Sequence, residues 1–537
     1  MWQSSLKACS FFLFLLLALV LFTPSQSVRG SESEWQAVAP GIDYGEFYLE
    51  GPNHAYVARM ERSNPNVILE SSIAQGTLSG GLETVSDMAR RYDQAIDYWG
   101  KAWGKRNRVV VAINGSFYNM ISGVPDRGII HSGWYVKRFT DLQNGSGFVW
   151  KLDRSAFIGQ CVKHVEDKQF ITFIEAGETQ YIGDVNVSVG EDEMVLFTPQ
   201  YGDRTPALGE DGVEVLVEMT QPSMVLPNPD MAVGYVRAVR IHQGSTPIPF
   251  DHVVLVGRGQ AKNKLLNYAK EGTRIGITQS IKHYTQDCSQ PLDLSWKETY
   301  ASVGGSFNFL KDGEIQSFDD LGALERHPRT AIAFNDDYIF FIVVDGRDPA
   351  NSVGMNMDEL GLFARDVLGA TWGINQDGGG SSTMVVNGEV KNNTYCNNYF
   401  CQGATGKSEP LDEGMLEVSA VGEPVQRYVA NGMMMVFVEP MQRSSRFAEG
   451  TKVVTIAPSD VRLGPGTNYG VLASLPSGVE GTVVAHLNQL DGVLAKGAYW
   501  WKVAFGDVVG WVDEAFLLPS SGRLYLPHAV KDTAVLP

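Results

Sequence analysis

A carboxylate, three consecutive glycines and two serines, Asp377-Gly378-Gly379-Gly380-Ser381-Ser382, stand between two apolar runs. Three adjacent glycines strip that backbone of side chains. Glycine tolerates positive φ and lets a ligand or another strand come close. Free N–H groups in such a turn form a concave nest for an anion, and Ser381, Ser382 and Thr383 add hydroxyls. A tight turn between two strands would use the same residues. Residue type alone leaves both readings open.

What lies upstream narrows the choice. Arg326-His327-Pro328-Arg329-Thr330 leads a strand over 331–334, and the apolar strand 338–344 ends on Asp345-Gly346-Arg347. Met357 to Leu368 has helical apolar spacing, Gly369 stops it, and the strand 370–376 ends on Asp377. Strand, crossover helix and strand predict two parallel strands. Asp345, Arg347, Asp377 and the glycine turn would then share one sheet edge, where ligands bind in open sheets of this kind. Earlier strands end on Asn114-Gly115-Ser116 and Val303-Gly304-Gly305, and Thr84 to Trp103 looks helical with Thr84 as its cap. The fold expected is α+β, a mixed sheet core with crossover helices, followed by a small all-β unit over 451–518 with Gly/Pro-rich turns. Residues 440–450 read as a linker and 519–537 as a loose tail.

The length of 537 residues predicts two or three folded units. A net charge of −18 argues against nucleic acid as a partner. Lys7, the apolar run from Phe11 to Phe22 and small residues up to Ser27 form a signal-peptide pattern over 1–27, predicting a secreted or cell-envelope protein. An uncleaved anchor is the alternative. Cys161, Cys288, Cys396 and Cys401 remain after the signal, an even number that suggests disulfides in an exported chain. Cys396 and Cys401 flank a short loop, leaving Cys161 with Cys288. Metal binding by the four is the competing reading, without a CxxC pair to support it.

Residues 35–439 resemble the phosphodiester glycosidase family. The resemblance rests on Ala112-Ile113-Asn114-Gly115-Ser116-Phe117, Val303-Gly304-Gly305, His327-Pro328-Arg329-Thr330-Ala331, Val344-Asp345-Gly346-Arg347, Gly354-Met355 with Glu359-Leu360, Asp377 to Ser382, and Arg427 with Asn431. Gln376 departs from it, since that family has an apolar residue before the Asp, and the region 136–230 looks expanded. Residues 451–518 resemble a bacterial SH3-like domain through Val461-Arg462-Leu463-Gly464-Pro465-Gly466, Trp500-Trp501-Lys502-Val503 and Gly510-Trp511-Val512. Such modules tether exported enzymes to cell wall or glycan, so a cell-wall ligand is an expected partner.

The first resemblance implies hydrolysis of a sugar-1-phosphodiester, N-acetylglucosamine-1-phosphodiester-like, to free sugar and phosphomonoester. A glycosidic carbon needs a pair of carboxylates, and Asp345, Glu359 and Asp377 are the candidates. The phosphate needs cations and donors. Arg329, Arg347 and Arg427 are expected to bind substrate, with Asn114, Gly305, Thr330, Gly378, Gly379, Ser381 and Ser382. No cofactor is required, although calcium among the carboxylates is a second expectation. The alternative function is a non-catalytic glycan-binding or envelope- and exopolysaccharide-associated protein.

Overall fold

Runs such as His252–Arg258, Arg329–Phe334 and Tyr338–Val344 contain almost no polar break. They are buried along nearly their whole length, the mark of strands covered on both faces. A computed structural model of the protein describes residues 30–31, 34–78, 81–93, 95–99, 102–142, 146–208, 211–220, 231–396, 401 and 425–520. The expected signal peptide lies outside these residues, as does the tail beyond 520.

Strands dominate the described residues, and they form five sheets. One carries, in order, Ile42–Leu49, Asn53–Glu61, Tyr338–Val344, Arg329–Phe334 and Trp372–Asn375. A second places Met384–Val386, Ala102–Asn114, Asn431–Pro440 and Val67–Ile73 side by side. Ile332, Phe341, Ile374, Val111, Met433 and Met435 fill the core these two sheets share. The strands between Cys161 and Leu292 form a third, wide sheet, which takes in much of the expanded region.

The expected α+β core with crossover helices is overturned: this is a mostly β protein with antiparallel pairing almost throughout. Arg329–Phe334 inserts between Tyr338–Val344 and Trp372–Asn375 and runs antiparallel to both. Those two strands therefore point the same way without touching. The helix between them is short, Met357–Leu362 followed by one wide turn. Residues 84–103 also diverge from expectation. Thr84 caps a helix, its hydroxyl accepting from the Asp87 N–H, but the helix ends at Tyr92. Asp97–Trp99 and Ala102–Asn114 are strands instead, because Trp103 pairs across to Tyr98 in a hairpin.

Strands from Lys452 to Pro519 make their own sheet around Val453, Val461, Trp501, Val503 and Val512. Phe447, just before them, packs against Trp501. A second apolar cluster crosses to the main body: Leu490, Val493, Trp500 and Trp511 bury against Ile96, Trp103 and Phe250. Each such side chain contributes about 2 kcal/mol of transfer free energy. Two disulfides form, Cys161–Cys288 and Cys396–Cys401, which fits an oxidising extracellular setting. No helix among the described residues is long and apolar enough to cross a membrane.

Candidate active site

Asp345 follows the last residue of Tyr338–Val344 and is 6% exposed. Tyr56 donates to its Oδ2 at 3.1 Å, and the Asn393 N–H approaches both oxygens at 3.1 and 3.2 Å. Burial pushes this carboxyl up to about 6, and the Asn392, Asn393 and Tyr56 hydrogen bonds only partly offset that. Tyr56 in turn meets His54 Nδ1 at 2.9 Å, and His54 Nε2 meets Glu46 at 3.1 Å. A hydrogen-bonded line thus runs from Asp345 to the half-exposed Glu46. Asp345, Arg347 and Tyr395 line a cleft of about 760 Å³.

Asp377 follows Trp372–Asn375, and its position is fixed through its backbone. Its N–H donates to Gly115 O at 2.9 Å, and its carbonyl accepts from Asn114 Nδ2 at 2.7 Å. Burial pushes its carboxyl up to about 6 as well, against the lowering effect of the Ser381 hydrogen bond and the Arg427 charge. The glycines make room for cations. A Cβ on Gly379 would sit 3.2 Å from Arg347 Nη2, and one on Gly380 would sit 2.6 Å from Arg427 Nη2. Arg347 itself has φ of 63°, a conformation costly for a long side chain and concentrated at functional sites. Its guanidinium lies over the Tyr395 ring at 5.2 Å. Burial holds it below the usual arginine range, and repulsion from Arg427 adds to that.

The amide nest is largely consumed by the fold. Gly379, Ser381 and Ser382 N–H groups donate to Pro328, Gly378 and Gly379 carbonyls, and Thr383 N–H donates to Asn114 Oδ1. Asn114 is a buried clamp, also accepting from Thr330 Oγ1 at 2.7 Å. Gly305 packs under Ile374, where a Cβ would approach to 2.5 Å. Gly378 faces Pro328 O in the same way. Arg329 is buried and spends its donors on the Met355, Gly322 and Glu325 carbonyls, each at 2.7 Å. Glu359 closes a capping box with Asn356 and grips Arg326 with both oxygens at 3.0 Å. Of the expected residues, the structure groups Asp377, Gly379, Ser381, Arg347 and Arg427 at the glycine turn, with Asp345 lining the cleft beside Arg347. It sets Glu359, Arg329, Asn114, Thr330 and Gly305 in supporting positions, and Ser382 is buried beside the turn.

Residues 233–404 match the family model described as phosphodiester glycosidase. That segment carries Asp345, Arg347, Asp377 and Ser381, and ends before Arg427. No curated protein matches the chain. Among solved structures, a hypothetical protein from Synechocystis aligns at 16% identity over 76% of this chain and 68% of its own, with a TM-score of 0.45. The catalytic domain of zebrafish N-acetylglucosamine-1-phosphodiester alpha-N-acetylglucosaminidase, auto-inhibited by its pro-peptide, aligns at 12% identity over 76% of this chain and 88% of its own, with a TM-score of 0.32.

Within the matched segment, Asn392 and Asn393 escaped the sequence reading. Asn392 Nδ2 donates to Asp345 Oδ1 at 3.3 Å and to Ser382 O at 3.0 Å, so one amide ties the acid to the glycine turn. Their signal was a polar pair just before Cys396, whose disulfide anchors this loop. Gln376 is fully buried, and neither amide atom has a hydrogen-bond partner among the described residues. Glu218, Asp251 and His486 also converge closely enough to suggest a metal site. Their partners argue otherwise. Glu218 holds Lys502 at 3.2 Å and Arg237 at 2.6 Å. His486 Nδ1 accepts the Asn488 N–H, which leaves the proton on Nε2 facing Asp251. This is an ion-pair junction between the main body and the small β unit.

Proposed function

We propose that the chain hydrolyses a sugar-1-phosphodiester, N-acetylglucosamine-1-phosphodiester-like, with Asp345 and Asp377 as its carboxylate pair. The observation that carries this is the meeting of Arg347 and Arg427 at the glycine turn, which follows Asp377 and which Asn392 ties to Asp345, two acids that burial has pushed up to about 6. Two guanidiniums close enough to repel favour an anion between them, and Arg427 Nε is a buried donor with no partner among the described residues. Near pH 6 each carboxyl is about half protonated, so molecules holding one acid and one carboxylate are populated, the state acid–base chemistry uses.

The ionised carboxylate takes a proton from a water that attacks the anomeric carbon, or attacks that carbon itself to form a glycosyl ester that water then hydrolyses to free sugar. The bond from that carbon to the phosphate oxygen breaks, and the phosphate leaves as a monoester with its charge met by the arginines. Glu359 has no part in this scheme, since its oxygens serve Arg326 and the Asn356 cap. Calcium fits Asp345 poorly, because N–H and O–H donors already face its oxygens. Activity in a chelator is therefore expected to persist. Export by the 1–27 signal, and attachment of an SH3-like 451–518 unit to cell wall or glycan, complete the proposal.

The test is release of free sugar from UDP-N-acetylglucosamine and para-nitrophenyl sugar phosphodiesters by the purified chain, beside Asp377→Asn. Release by wild type alone supports hydrolysis. No release from any phosphodiester moves the weight to glycan binding without turnover.

A further inference from the structure

A second cleft, of about 440 Å³, opens between the main body and the small β unit and shares no lining residue with the Asp345 cleft. Asp97 lines it, and a second acid, Glu70, lies behind that lining. Glu70 is fully buried and Asp97 is 2% exposed. The Tyr92 hydroxyl lies 2.9 Å from Asp97 Oδ2 and 3.2 Å from Glu70 Oε2. Ser132 Oγ lies 2.8 Å from Glu70 Oε2 and 3.3 Å from Asp97 Oδ1. Two hydroxyls are thus shared by two carboxyls. Burial, with Glu70 beside it, holds the Asp97 carboxyl above the usual range. Burial lowers His131, but the Glu70 carboxylate 3.1 Å from its Nδ1 wins and raises it. Burying two acids together is expensive unless the charges do something, and packing at this junction would be cheaper with apolar residues.

The walls are aromatic. Tyr98 meets Trp103 with ring centroids 5.1 Å apart, Trp103 meets Phe250 at 5.8 Å, and Phe250 meets Tyr469 at 5.4 Å. This row passes from the main body to the small unit. The cations beside the cleft are engaged elsewhere. Arg91 holds Glu83 and the Ile73 carbonyl, and Arg462 holds Asp460 and the Tyr469 carbonyl. An anionic ligand finds no uncommitted guanidinium in this lining. A ligand with apolar C–H faces and hydroxyl edges suits it, since pockets of this type combine aromatic walls with a few placed polar groups.

We propose that this junction cleft binds a neutral saccharide, its ring faces against Tyr98, Trp103 and Tyr469 and its hydroxyls donating to Asp97 and Ser132. The site stands apart from the hydrolase reading and would exist if that reading failed. Because Trp103 and Tyr469 come from opposite sides of the junction, the bound sugar also clamps the two parts together.

The experiment uses the full chain carrying Asp377→Asn, so that turnover cannot interfere. Chitotetraose, cellotetraose and maltotetraose are titrated by calorimetry and by tryptophan fluorescence. At least one is expected to bind with Kd between about 10 μM and 1 mM. Tyr98→Ala is expected to weaken that binding about tenfold, the effect of losing one stacked ring. Thr467→Trp, at an exposed rim position, blocks the mouth without touching the aromatic row and keeps the test valid if Tyr98→Ala does not fold. No binding by any of the three at about 5 mM overturns the proposal. So does binding that both variants leave unchanged.

Discussion

Two clefts in this molecule are each lined by a buried acid with a second acid nearby, Asp345 in one and Asp97 in the other, and what surrounds the acids differs. Around Asp345 and Asp377 the neighbours are Arg347, Arg427 and backbone N–H groups. Around Glu70 and Asp97 they are tyrosine and serine hydroxyls and His131 beneath a row of aromatic rings. Guanidiniums suit a phosphate, whereas rings and hydroxyls suit an uncharged sugar. A buried acid does not declare its ligand; the charge and shape of its neighbours do.

The sharpest break in that contrast comes from Asp377→Asn. It should lower turnover of a sugar phosphodiester by about 10³-fold or more while leaving tetrasaccharide binding at the junction intact. Steady-state kinetics beside calorimetry reads both. Next come Arg347→Ala and Arg427→Ala, each expected to cost about 10²-fold in kcat/KM with the loss concentrated on phosphodiesters. Equal loss on an uncharged aryl glycoside would remove phosphate recognition from their role. Opening the Cys396–Cys401 loop with Cys396→Ser should loosen the Asn392 and Asn393 contacts to Asp345, lowering kcat about tenfold. Thermal unfolding should shift far less, because the bridge closes only a short loop.

The smaller effects concern stability. Asp345 is raised to about 6 in the fold from an ordinary 3.8, so the folded state disfavours its charge. Below about pH 4 both states are protonated and no penalty applies. Stability contributed by the neutral acid is lost as pH rises from about 4 to 6, and above that the full penalty stands. Asp251 is held well below the ordinary range despite its burial, by its two histidine partners, so its own titration falls beneath this window. Asp345→Asn should therefore raise stability at pH 7 by about 1 kcal/mol, after allowing for weakened hydrogen bonds, and should reduce the pH 4–6 slope of the unfolding midpoint, the remainder belonging to Asp377 and Asp97, which are raised in the same sense. Gln376→Met should add about 1 kcal/mol by removing two unpartnered buried atoms, measured by denaturant unfolding with turnover as the control.

The sequence announced the strands well, because a strand buried on both faces is an unbroken apolar run. Their partners were not announced. Nothing in 338–376 says that an antiparallel strand will slide between the two that flank the helix, and the crossover pattern is the same with or without it. The site was legible where residue type forces proximity, as at the glycines that clear space for Arg347 and Arg427. It was misleading where a side chain had two respectable uses. Arg329 resembles a phosphate ligand until its carbonyl partners are seen. Glu359 was separable in principle, since Asn356 three residues earlier makes a capping box. Asp97 sat inside an apparent helix and drew no notice, although in the fold it floors the junction cleft.

Lys496 donates its ammonium to the carbonyls of Arg91 and Asp93, at the end of the Val85–Tyr92 helix. The two sides of that contact are separated by 405 and 403 residues. A ribosome adding about 5–20 residues per second needs from about 20 seconds to more than a minute to cover such a stretch. For all that time the early helix has an unfinished end and Ile96 an open flank. The end of that helix waits for residues near the end of the chain, and a copy truncated near residue 440 would lack the ammonium that caps the Arg91 and Asp93 carbonyls.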